Sequence, residues 1–299
     1  MAKHWSSSGF SDLSERLARA VEWLRGFGVR TDGTRLAHYH RAIKDLTAAS
    51  ERADPAELRA MWPQVANALY EANEYVTIHR SFADGRHDAF VSPRLEAIAG
   101  GPLSYADEDS SSGNRPRNLM FELLVGARLV DSGLGLIPSD RSDVESTIER
   151  MRLVIECKRP RTEAKVERRT KDARDQLLAK MASGARDSAL GIIALDLTRL
   201  TNPEFGLLVR MPADAGTEAL ANYLRAFFDR RAEFFAHISS QHVSGLLLRI
   251  SILAHFTGEL SPTYCQQWTL VGLRSAGQRA RWALRALNQA LQLGTVKDG

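Results

Sequence analysis

Apolar residues recur at helical spacing through the first hundred positions. In SDLSERLARAVEWLRGFG, Leu13, Leu17, Val21 and Leu24 fall three or four apart and share one helix face, and the pattern stops at Gly26 or Gly28. TRLAHYHRAIKDLTAAS continues the same period. DPAELRAMWPQVANALYEANEYVTIHRSF opens with Asp54 as N-cap and Pro55 at the first helical position, where the missing N–H would be unpaired anyway. Residues 1–100 therefore read as a helical N-terminal region. GGPLSYADEDSSSGNRPRN then breaks the pattern: Gly, Pro, Ser, Asp and Asn dominate, so residues 101–118 read as a linker or mobile loop.

Beyond this break helix and strand patterns alternate. LMFELLVGARLVDSG predicts a helix with Phe121, Leu124, Val125 and Leu129 on one face, ending near Gly133. LGLIPSDRSDVES predicts a short strand and a polar turn, MRLVIECKRP a strand, and TEAKVERRTKDARDQLLAKMASG a long helix. SALGIIALDLTRL is a nearly continuous apolar run, as a central strand buried on both faces requires. TEALANYLRAFFDRRAEFFAHI predicts a helix, GLLLRISILAHF and YCQQWTLVGL two strands, and QRARWALRALNQALQLG a closing helix. Residues 119–299 thus read as an α/β domain.

Composition narrows this picture only a little. With 44% hydrophobic and 25% charged residues, the 299-residue chain matches folded soluble proteins. A formal net charge of +4 is too small to name a partner. Cys157 and Cys265 are too few for a disulfide framework or a zinc site, which fits a reducing cytoplasm. The start, MAKHWSSSGFSDLSERL, lacks the apolar core of a secretory signal, and no uncharged apolar run reaches the roughly 18 residues of a membrane span. There is no Gly-rich phosphate loop, and the five tryptophans are scattered. His38 and His40, two apart on a helix, diverge and do not form a metal pair.

The candidate chemistry sits at one strand end, VIECKRP. Glu156 and Lys158 are two apart, so in extended backbone they share a face, while Leu153, Ile155 and Cys157 turn to the core. Asp143 lies thirteen residues before Glu156, a gap suited to a β-hairpin that brings the two carboxylates together; Asp140 and Glu145 are nearby competitors. Paired carboxylates call for a cation, and hard oxygen ligands suit Mg²⁺ or Mn²⁺. The backbone carbonyl of Cys157 offers another such ligand, and its thiol reads as a small core group rather than a nucleophile. Lys158 is placed to orient a water and to stabilise charge growing on a scissile phosphate. Glu122, with Gly126 four residues on leaving room beside it, is a third acid for a second ion or its water. From Lys158 to Arg174 eight of seventeen residues are basic. Lys158, Arg159, Arg161, Lys165, Arg168, Arg169 and Lys171 are candidates to hold a polyanion, and Gln176 to reach a phosphate or a metal-bound water. Asp196 reads as a structural or turn-capping residue.

Asp143, then VIECKRP with Glu156 and Lys158, a preceding helix carrying FE (Glu122) and a following helix with Gln176, resembles the PD-(D/E)XK nuclease superfamily. That group includes restriction endonucleases, Holliday-junction resolvases and RecB-like nucleases. Ser142 stands where the signature has its most dispensable letter, proline, and the resemblance covers about residues 117–200. It implies a restriction-endonuclease-like mixed sheet flanked by helices and Mg²⁺-dependent phosphodiester hydrolysis. It also implies metal ligation by Asp143 and Glu156, the role given above to Lys158, and a bacterial defence or restriction-like setting. The expectation is a metal-dependent nuclease acting on DNA, with the helical region supplying substrate contacts, a homodimer surface or a protein-partner surface. Two other readings stay open. One is a non-catalytic nucleic-acid-binding or assembly subunit that keeps the fold. The other is a helical interaction protein in which the Glu156-x-Lys158 triplet is coincidental; taken singly, Glu156 and Lys158 also read as a surface ion pair and the basic stretch as a solvated helix face.

Overall fold

The computed structural model describes residues 9–52, 55–103, 107, 114–140, 142–182, 189–203, 208–211, 215–239, 242–256, 262–273 and 276–293. The N-terminal region is helical as the periodicity requires: α1 (Phe10–Gly26), α2 (Arg35–Glu51), α3 (Pro55–Phe82) and α4 (Asp88–Ala99). Thr34 caps α2 by accepting the Ala37 N–H. Asp54, the expected cap of α3, lies outside the described residues. The expected linker ends sooner than its composition implies, because α5 (Arg115–Asp131) begins with Pro116 in its first turn. Arg117, within that stretch, is buried to 2% exposure. Its guanidinium lies 2.6 Å from Glu71 of α3 and donates to the carbonyls of Pro102 and Leu103.

The α/β part contains β1 (Val144–Ile148), β2 (Met151–Lys158), α6 (Glu163–Ala182), β3 (Ala189–Asp196), α7 (Thr198–Thr201) and β4 (Leu208–Met211). After these come α8 (Ala215–Asp229), α9 (Ala232–Ile238), β5 (Gly245–Phe256), β6 (Thr263–Gly272) and α10 (Gln278–Leu293). Three details differ from the sequence reading. The single helix expected over 217–238 is two, α8 and α9, parted at Arg230–Arg231. The strand expected at LGLI is one bridge, Leu136 to Ser146. The short elements α7 and β4 carry too few residues for a visible period.

These strands form a mixed sheet. β1 and β2 are antiparallel, β2, β3 and β5 run parallel, and β6 pairs antiparallel with β5. β4 joins the far end of β5, beyond the residues that pair with β3. Helices cover both faces. Leu153, Ile155, Cys157, Ile192 and Ala194 pack into one core with α1–α5 and α10, while Val154, Ile193 and Leu195 pack into a second with α6, α8 and α9. That two-sided burial is why β2 and β3 read as continuous apolar runs. Among the described residues no helix is long and apolar enough to cross a membrane.

Two local features fix the sheet near the candidate chemistry. Glu149 and Arg150 both have positive φ, 49° and 62°, forming a two-residue turn whose twist matches that of the hairpin strands. The turn sets the register Ile148 to Met151 and hence Val144 to Ile155. Gly191 in β3 lets the chain before β5 pass directly over it: a Cβ there would lie well inside contact distance of the His242 backbone carbonyl, and Gly191 accepts the Ser244 N–H at 2.9 Å. Gly191→Ala is expected to destabilise the protein by roughly 1–3 kcal/mol or more through overpacking. The check is a lowered urea midpoint at unchanged slope; an unshifted midpoint would show that the two segments part freely.

Candidate active site

The hairpin register assembles the site. Continued one residue past β1, it sets Asp143 opposite Glu156, both on the face shared with Val154. Asp143 Oδ2 accepts the Cys157 N–H at 2.8 Å. Lys158 Nζ lies 3.9 Å from Asp143 Oδ2 and 3.7 Å from Glu156 Oε2. The three residues singled out from VIECKRP and its upstream acid therefore converge at the C-terminal end of β2. The two competing acids have other surroundings. Glu145 is held by Arg152 at 2.8 Å and by Ser139 at 2.6 Å, and Asp140 is exposed. Burial would raise the Glu145 pKa, but the hydrogen bonds from Ser139, Arg152 and Ser142 outweigh it and hold it low.

Glu156 is not the open cleft residue that alternation implied. Its side chain is 1% exposed, and it forms an ion pair with Lys180 of α6, a residue absent from the sequence reading. A signal existed: Lys180 follows Gln176 by four residues, so both lie on one face of α6. Glu122 also differs from expectation. The room at Gly126 is filled, since a Cβ there would meet the Phe90 ring at 2.8 Å. That close approach of α4 to α5 delivers Arg94, which stacks over Phe90 at 4.3 Å, meets Glu122 Oε2 at 3.0 Å and donates to the Asp143 carbonyl at 2.8 Å. Arg94 lies 49 residues from Asp143 in the chain and carries no local motif.

Asp143 is the electrostatic centre of the group. Burial and then the Asp143 charge push the Glu122 pKa up to about 7, against Arg94 and Lys158. The same two causes raise Glu156, against Lys180 and Lys158. Burial followed by the surrounding carboxylates raises the Cys157 thiol far above its ordinary value, which disfavours the thiolate form. Among the described residues no three His, Cys, Asp or Glu side chains close into a group able to hold an ion. The donor chemistry nonetheless fits Mg²⁺ or Mn²⁺, which take one or two carboxylates and keep several waters. Asp143 and Glu156 would supply two hard oxygen ligands, and a cation between them would relieve their mutual repulsion.

The site opens into a cleft of about 740 Å³. One wall is the start of α5, with Asn114, Arg115, Asn118 and Glu122; the floor is Asp143, Cys157 and Lys158. The other wall is the α6 face carrying Lys165, Arg169, Asp172 and Gln176, spaced three or four apart as one helix face must be. Arg159 and Arg161 also line it, as do Asp196 and Arg199. Of the seven basic residues expected to grip a polyanion, Arg168 and Lys171 fall outside. Helical rotation turns them away: Arg168 is exposed elsewhere, and the Lys171 ammonium sits 5.7 Å above the Phe234 ring. Arg115 and Arg199 join in their place.

Asp196 has the capping role expected of it and a further one. It accepts the Thr198 N–H at 3.1 Å and pairs with both Arg159 and Arg249 at 3.2 Å. Burial alone would raise its pKa, yet the two arginines keep it low. Arg249 also reaches Glu74 of α3 at 2.6 Å, so this cleft wall is tied to the N-terminal helices.

No protein-family model, curated protein or solved structure matches the chain. Arg94→Ala would leave Glu122 buried without its guanidinium. A double-mutant cycle on unfolding free energy with Glu122→Gln is expected to give a coupling of about 1–3 kcal/mol. Additive effects would mean that Arg94 does not hold Glu122.

Proposed function

We propose that the chain is a divalent-metal-dependent nuclease of the PD-(D/E)XK type, with a restriction-endonuclease-like core, cleaving phosphodiester bonds in DNA in a defence or restriction-like role in the cytoplasm. The observation that carries this reading is the meeting of Asp143, Glu156 and Lys158, with both carboxylates within 4 Å of one ammonium, beside a cleft rich in arginine and lysine. The element order also supports it: a helix bearing Glu122, an antiparallel hairpin bearing Asp143 and Glu156, a helix, and a parallel strand.

In this reading Asp143, Glu156 and the Cys157 carbonyl would hold Mg²⁺ or Mn²⁺, with Glu122 adjacent. A bound ion supplies Lewis acidity at the phosphoryl group and acidifies water. The side chains do the rest. Lys158 directs its ammonium to the oxygen on which negative charge grows, in a partly desolvated setting where that charge–charge attraction is strong. Arg161, Lys165 and Arg169 hold neighbouring phosphates, and Gln176 donates to a phosphate or a water. Arg94 fixes Glu122 and the backbone of Asp143, which gives the helical N-terminal region a part in the site. The same region remains free to present a homodimer or partner surface.

One observation favours a second reading, a non-catalytic nucleic-acid-binding subunit of the same fold: Glu156 already has Lys180 as its counter-ion. Incubation with single- and double-stranded DNA and RNA, with Mg²⁺ or Mn²⁺, separates the two. Cleavage of DNA is expected, reduced about 10²-fold or more by Lys158→Ala and abolished by Asp143→Asn. Cleavage that persists unchanged in Lys158→Ala would overturn the mechanism. Salt-sensitive binding without cleavage of any substrate would establish the second reading.

A further inference from the structure

The site carries its own charge compensation. Glu122, Asp143 and Glu156 face Arg94, Lys158 and Lys180, three carboxylates against three cations, each carboxylate with a cationic nitrogen within 4 Å. A dication entering such a group meets resident positive charge beside every carboxylate, and Glu156 becomes fully available as a ligand only if the cation on it withdraws.

The three cations are not equally able to leave. Arg94 is 11% exposed and is also bound to the carbonyls of Phe90 and Asp143. Lys158, at 15% exposure, lies between both carboxylates at the end of β2. Lys180 is the most exposed of the three, at 21%, and stands in the last turn of α6 on a flexible four-carbon stem. Its helix is pinned below it by buried Ala173 and Leu177, so displacing the ammonium requires movement of the side chain and not of the helix. Complementing the helix dipole would draw a lysine toward the terminal carbonyls and does not explain an ammonium placed on a carboxylate buried in the sheet.

We propose that Lys180 is the resident counter-ion of Glu156 that a divalent metal must displace, a positioning residue that sets how tightly the site takes its metal. The inference rests on the reading of Asp143 and Glu156 as metal ligands. Lys180 then serves two states: it neutralises Glu156 and stabilises the fold without metal, and it turns aside when a metal binds.

The test is Mn²⁺ binding to the full chain, followed by electron paramagnetic resonance, beside thermal unfolding in a chelator. Lys180→Met removes a positive charge beside the incoming cation and is expected to bind Mn²⁺ more tightly, on the order of tenfold, while melting lower than wild type without metal. Lys180→Arg, which keeps the charge, is expected to bind like wild type. A merely structural lysine would lower both quantities, or change stability alone, and either result overturns the proposal. Should Lys180→Met fail to fold, Lys180→Gln keeps a hydrogen bond to Glu156 without the charge, and Mn²⁺ binding to it no tighter than to wild type overturns the proposal equally. Absence of Mn²⁺ binding to wild type and variants alike would overturn the metal-site reading beneath it as well. Wild-type binding that Asp143→Asn abolishes, with no change in Lys180→Met, would leave that reading standing and refute this inference alone.

Discussion

The register of the β1–β2 hairpin is the constraint on which the site depends. Side chains alternate along a strand, so a slip of one residue would carry Asp143 to the opposite face of the sheet from Glu156 and Lys158. The two-residue turn at Glu149–Arg150 fits the pairing seen, and it does so with two non-glycine residues at positive φ, a conformation that costs energy at each position. Burial repays that cost. Val144 and Ile155, paired across the hairpin, are both fully buried, and a shifted register would expose them.

The second organising feature is charge held inside. Arg117 and Arg35 close on Glu71 between α2, α3 and α5, and Arg249 joins Glu74 to Asp196 between α3 and the sheet. Such networks contribute less to net stability than apolar packing of the same volume, because each charge loses its hydration. Their effect is positional. Misplacing any member leaves a buried charge unpaired, so they lock the helices to the sheet at one angle. Through Arg94 and Arg249 the N-terminal helices touch the cleft from two directions.

Much of this was legible in the chain. Helical period gave α1, α2, α3, α5 and α6, and the apolar runs gave β2, β3, β5 and β6, because each is long enough to show its repeat. Strand alternation and a hairpin-sized gap were enough to bring Asp143, Glu156 and Lys158 together. The remainder was hidden for specific reasons. Arg94 reaches the site through tertiary packing at Gly126, which no local pattern encodes. Arg117 looked like loop because Pro116 and Asn118 flank it, yet the proline begins a helix. Period 2 assigns Glu156 a face and says nothing of what covers that face; α6 covers it with Lys180. Arg168 and Lys171 counted toward a basic run that helical rotation splits between two faces.

In the proposed function Asp143 and Glu156 would share a divalent ion beside Lys158. Anomalous diffraction from crystals soaked in Mn²⁺ tests it at the atoms concerned. The account requires a peak at about 2.0–2.6 Å from oxygens of both carboxylates, with the Lys180 ammonium moved off Glu156. A metal seated elsewhere, or a site in which Lys180 stays on Glu156 at saturating Mn²⁺, would contradict it.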